Sequence, residues 1–185
     1  MTSQSQTAAA LVVDASVLRA AGENPDPSSR MCRAFLETMR AGGFRAISSP
    51  ELTRERNRNA SRFASRWFSH LVARKRVVFI DDPTDADLRA HLEQCAKQRA
   101  ESSSQESNLY LELTKDACLV EASNACGKAP ISSLDDKMRS HLRACANWIP
   151  EIKGISWVNP AKEAETPLEW LADGAPKEPA RMLAI

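Results

Sequence analysis

Four acidic residues fall where apolar runs end or helices begin: Asp14, Glu55, Asp116 and Asp135. Carboxylates drawn to within a few ångströms of one another repel, and either protonation or a divalent cation relieves the repulsion. Their hard oxygen donors suit Mg2+ or Mn2+. Such an ion can polarise a phosphoryl oxygen, generate hydroxide from water and steady a leaving oxygen. Asp136 adds a carboxylate beside Asp135, and Glu51 rivals Glu55 as the second acid. Each acid also has a plainer reading. Asp14 could end a strand in a turn, Asp116 and Asp135 could cap or favour helix starts, and Glu55 could pair with Arg58 or Arg62. What makes them one candidate site is a shared location.

That location follows from the elements. Residues 9–13, 44–48, 77–80, 129–133 and 154–158 are short, mostly apolar runs of strand length. Helices are expected between them: 16–21, from a cap at Ser28 or Ser29 to Ala41, one long helix from Ser49-Pro50 closed by Arg74-Lys75-Arg76, 84–100, one capped by Thr114, and one from Asp135 to Ala146. Unbroken apolar strands are buried on both faces, as in a parallel sheet covered by helices. The expected class is α/β with the doubly wound pattern. In such sheets ligands bind beyond the carboxyl ends of the strands, where strand order reverses. Asp14 and Asp135 follow the first and fourth strands, and the helix starts carry Asp116 and Glu55 to the same rim.

The chain has 185 residues, enough for one sizeable domain and too few for two ordinary ones. Its formal net charge of +1 argues neither for nor against nucleic acid, so any such partner must meet a local patch. Arg54, Arg58, Arg62 and Arg66 recur every four residues on the helix carrying Glu55, and Arg54, Arg58 and Arg62 are the candidate RNA contacts. Five cysteines without zinc spacing read as small buried thiols of a reducing compartment. Residues 1–10 carry no basic group, and Asp14 halts the first apolar run, so neither a signal peptide nor a membrane span is expected. The chain therefore reads as cytoplasmic, with residues 1–8 a loose tail, 9–160 the domain and 161–185 a charged extension in which Trp170 either staples the segment to the domain, the favoured reading, or marks a partner contact.

The residues also carry a resemblance. Residues 11–18, LVVDASVL, look like the opening strand of PIN domains. Residues 47–55, ISSPELTRE, resemble their second strand and following helix. Residues 115–122, KDACLVEA, and 127–136, GKAPISSLDD, resemble their third and fourth acidic blocks. The resemblance covers roughly residues 10–160. It implies a three-layer α/β/α fold with a five-stranded parallel sheet ordered 3-2-1-4-5. It also implies a Mg2+- or Mn2+-dependent endoribonuclease, either a toxin held by an antitoxin or an RNA-processing enzyme, with a homodimer as a further expectation. Asp14, Glu55, Asp116 and Asp135 would be the acids, Asp136 a neighbour that could replace or assist Asp135, and Ser16 and Ser133 would orient a carboxylate or water. Two other readings stay open. One is a non-catalytic RNA- or protein-binding module on the same fold. The other is a receiver-type Mg2+ protein, which would need a Lys where Asn159-Pro160 follows the fifth strand.

Overall fold

A computed structural model of the chain describes residues 9–100, Thr114 and residues 117–185. Five parallel strands form one sheet: β1 (Ala10–Val13), β2 (Arg45–Ser48), β3 (Val77–Phe79), β4 (Ile131–Ser132) and β5 (Trp157–Val158), in the order β3-β2-β1-β4-β5. Around it lie α1 (Ala15–Ala20), α2 (Pro27–Ala41), α3 (Pro50–Asn59), α4 (Arg62–Ala73), α5 (Ala86–Ala100), α6 (Ala117–Ala125), α7 (Asp136–Ala144) and α8 (Pro167–Ala172). This is the expected three-layer α/β/α arrangement.

The alternation of side chains along each strand builds two cores. Val12, Ile47, Ile131 and Trp157 pack on one face with residues of α5, α6 and α7, including Leu92, Val120 and Leu142. Leu11, Val13, Ala46 and Val158 pack on the other with Val17, Phe35, Leu36, Trp67 and Trp170. Both faces are thus covered, which is why the runs read as continuously apolar. β3 is the exception. It pairs only with β2 among the described residues, and at this edge Phe79 is 64% exposed rather than buried as expected.

Three local expectations change. The helix expected from residue 49 to 76 is two helices ending at Ala73, because Ala60 is extended and Ser61 starts afresh as the cap of α4, accepting Ala64 N–H at 3.2 Å. Ser61 stops the helix in order to serve α1: its N–H donates to Leu18 O at 3.1 Å and its hydroxyl to Ala21 O at 2.9 Å, satisfying carbonyls that a helix end leaves open. The cap of α2 is Asp26, which accepts both the N–H and the hydroxyl of Ser29, with Pro27 at the first helical position. Thr114 is itself helical rather than a cap.

The cysteines differ from expectation as well. Cys95 of α5 and Cys145, at the end of α7, are joined by a disulfide, while Cys32 and Cys118 are buried thiols and Cys126 is half-buried. Residues 161–185 are packed into both cores. Trp170 is 2% exposed against α2 and donates from Nε1 to Pro176 O at 2.9 Å, which is the staple expected of it. Leu183 enters the opposite core, and Met182 and Ala184 bridge to Ser156 and Lys153. No helix among the described residues is long and apolar enough to cross a membrane.

Candidate active site

β1 is the point where the sheet reverses: the chain leaves it toward β2 and later returns on its other side as β4. β1 and β4 are in register through Val12↔Ile131 and Val13↔Ser132, and Asp14 N–H continues the ladder to Ser132 O at 2.9 Å. Asp14 therefore leaves the carboxyl end of the central strand beside Ser133, where an open α/β sheet forms its ligand crevice.

Asp14 precedes α1, yet its carboxylate makes no capping bond there. Ser16 donates its hydroxyl to Asp14 Oδ2, and Ser133 donates to the same oxygen at 2.7 Å. Oδ1 is outside both bonds. The residue is 8% exposed and forms no ion pair among the described residues. A carboxylate this buried calls for a positive partner, and two neutral hydroxyls provide hydrogen bonds without providing charge. The serines are in turn held by backbone. Ser16 Oγ accepts Leu134 N–H and Ser133 Oγ accepts Asp135 N–H, both at 3.1 Å.

Asp135 carries out the plainer role that Asp14 does not: it caps α7, with Oδ1 accepting Met138 N–H at 2.8 Å. It nevertheless lines the same cleft. Asp14, Ala15, Ser16, Arg19, Glu55, Asn59 and Asp135 bound a space of about 150 Å3. Glu55 reaches it because Ser49 caps α3 and Leu52 is anchored in the core, which sets the helix against α1. Glu51 lines a different cleft, with Arg54, Asp81, Asp82 and Glu121. There the acid Glu121, 2% exposed, is neutralised by Arg89, whose Nε lies 2.7 Å from Oε1.

The remaining expected residues lie elsewhere. Asp116 lies outside the described residues. Asp136 does not line the Asp14 cleft: its Oδ2 accepts Asn159 Nδ2 and pairs with Lys162 Nζ, each at 2.9 Å. The break at Ala60 interrupts the arginine row. Arg54, Arg58 and Arg62 are exposed, with Arg54 on the Glu51 cleft. Arg56 turns inward, its guanidinium carbon 3.6 Å from the centre of the Phe68 ring and its Nη1 donating to Ser48 Oγ at 3.3 Å; burial lowers its pKa. Two cleft residues with polar side chains were not singled out from the sequence, Arg19 and Asn59. Asn59 could have been, since it lies one helical turn beyond Glu55 on the same face.

Among the described residues, no three acidic, imidazole or thiol groups already form a ligand cluster for a metal ion. The donors that line the cleft are carboxylate oxygens, the type that Mg2+ and Mn2+ prefer. An uncompensated buried carboxylate, Asp14, is the feature of this chain that a divalent cation would satisfy. No family model, curated protein or solved structure matches the chain.

Proposed function

We propose that the chain is a divalent-metal-dependent nuclease that hydrolyses RNA phosphodiesters in the cleft between Asp14, Glu55 and Asp135. The observation that carries this reading is Asp14. It is a buried carboxylate at the reversal point of the sheet, excluded from capping its own helix, oriented by two serine hydroxyls and lacking a cation among the described residues. A structural acid in that position would cap or pair. Strand order 3-2-1-4-5 and the motifs around Asp14, Glu55, Asp116 and Asp135 support the same reading.

Asp14, Glu55 and Asp135, with Asp116 by motif, would hold the ion. When bound there, Mg2+ or Mn2+ supplies a polarised phosphoryl oxygen and a water acidic enough to attack phosphorus. The protein's own part is positional. Ser16 and Ser133 fix the Asp14 carboxylate, the α7 cap fixes Asp135, and α3 presents Glu55 from the opposite wall. Catalysis of this kind draws on preorganised charge rather than on a protein nucleophile.

The test is cleavage of defined RNAs by purified protein. Cleavage should require Mg2+ or Mn2+, stop in EDTA and be abolished by Asp14→Asn with thermal unfolding unchanged. Equal cleavage in EDTA would sink the metal mechanism. A second reading, a binding module that keeps the fold without catalysis, draws on Asp135, whose carboxylate is engaged in capping α7. RNA binding without cleavage at any divalent-ion concentration would select it.

A further inference from the structure

We propose that Arg19 is the phosphate-binding residue of the cleft, its guanidinium gripping the non-bridging oxygens of the RNA phosphate presented to the three carboxylates; this rests on the nuclease reading above. Arg19 is the basic side chain that lines the cleft with Asp14, Glu55 and Asp135. It is exposed, and among the described residues it forms no ion pair or hydrogen bond, although acids surround it.

Its backbone is held from several sides. Val17 and Leu18 of α1 are buried, Leu18 O and Ala21 O accept bonds from Ser61, and Arg33 donates to Gly22 O. A fixed stem with an uncommitted head is what ligand capture needs, because little backbone order is lost on binding. A role in stabilising α1 is a poor alternative. A basic group in the last turn of a helix contributes only a few tenths of a kcal/mol when exposed, and α1 is six residues long.

The chemistry of the cleft selects the ligand. Carboxylates alone would favour a cation and nothing else, whereas a guanidinium among them gives an anion a place to dock. The planar fork of arginine matches two phosphoryl oxygens at once, and its charge persists at every working pH. A metal ion held by the acids and a guanidinium facing them would bracket one phosphate from two sides. Phosphoryl transfer uses the same division of labour between metal and arginine to neutralise charge.

The experiment compares wild type, Arg19→Ala and Arg19→Lys in two assays. The first measures binding of a 2′-O-methyl RNA oligonucleotide with Ca2+ in place of Mg2+ or Mn2+, by fluorescence anisotropy across a salt series. The second measures single-turnover cleavage of the unmodified RNA in Mg2+, with Mn2+ affinity read separately by titration. Arg19→Ala should weaken RNA binding about tenfold and make the log–log salt slope shallower by about 0.7, the value for one lost phosphate contact on a single strand. Mn2+ affinity and unfolding should not change, and Arg19→Lys should recover part of the binding. Equal RNA binding by wild type and Arg19→Ala overturns the proposal even if wild type cleaves. Loss of Mn2+ affinity or fold in Arg19→Ala also overturns it, since the residue would then support the site rather than the phosphate. Arg19-dependent binding without cleavage in wild type would leave the phosphate contact standing and remove the nuclease reading.

Discussion

Ser133 Oγ donates a 2.7 Å hydrogen bond to Asp14 Oδ2 across the seam between β4 and β1, and Ser133 Oγ itself accepts the Asp135 amide at 3.1 Å. One fully buried hydroxyl thus ties together two acids separated by most of the chain. Ser133→Ala would leave Asp14 with a single hydroxyl donor and the Asp135 amide without its side-chain acceptor. The expected cost is about 1–3 kcal/mol of unfolding free energy, the range for stranding buried polar groups. Loosening of Asp14 should lower Mn2+ affinity or RNA cleavage roughly 10- to 100-fold, as loss of a ligand-orienting partner commonly does. Urea unfolding and Mn2+ titration of the variant check the two effects separately. A variant as stable as wild type with unchanged metal affinity would remove Ser133 from the site.

Glu55 and Glu51 are one helical turn apart on α3 and yet line different clefts. Glu55→Gln is expected to lower metal-dependent cleavage roughly 100-fold or more, consistent with the several kcal/mol a metal-held charge supplies. Glu51→Gln should leave cleavage within a few-fold of wild type. The pair is informative because each substitution nearly keeps volume while removing the charge and one acceptor oxygen. If Glu51→Gln is the inactive variant, the cleft between Asp14 and Asp135 is not the reaction site.

The parallel sheet and the rim were readable from sequence because strands buried on both faces leave short unbroken apolar runs and the acids punctuate their ends, whereas the strand order came only from the resemblance. What escaped depends on partners remote in the chain. Ser61 breaks α3 from α4 only because Leu18 and Ala21 offer carbonyls across the fold. Asp14 and Asp135 look alike in sequence, each an acid before a helix, but one forgoes the cap and the other makes it. That difference is set by Ser133 and Ser16, which take the Asp14 carboxylate first. Arg19 offered no signal because a single arginine on a short helix has no pattern. Asp136 sits beside Asp135 in sequence, but helix geometry turns it toward Asn159 and Lys162.

Trp170 decides whether residues 161–185 belong to the domain energetically. Its ring is 2% exposed, lies 5.3 Å from the Arg181 guanidinium carbon and closes the core formed with α2. Trp170→Ala should cost about 3–5 kcal/mol, the range for deleting a large buried aromatic. In urea the variant should unfold in a single transition at a lower midpoint. A midpoint equal to wild type would mean that the segment packs without contributing to the fold.

The disulfide between Cys95 and Cys145 offers the clearest stability test, because its effect can be bounded from chain length. It joins α5 to the end of α7 with a sequence separation of 50, and both cysteines are fully buried beside Leu92, Leu142 and Ile149. Cross-linking a loop of that size restricts the unfolded chain by about 4 kcal/mol in the loop-entropy model. The double variant Cys95→Ala, Cys145→Ala should therefore lose stability of about that size, plus a smaller term for the sulfur atoms missing from the core. Thiol labelling in denaturant gives an independent count: oxidised protein should react at Cys32, Cys118 and Cys126, and reduced protein at Cys95 and Cys145 as well. Labelling of all five cysteines without reductant, together with a double variant as stable as wild type, would show that the folded protein does not carry the bond.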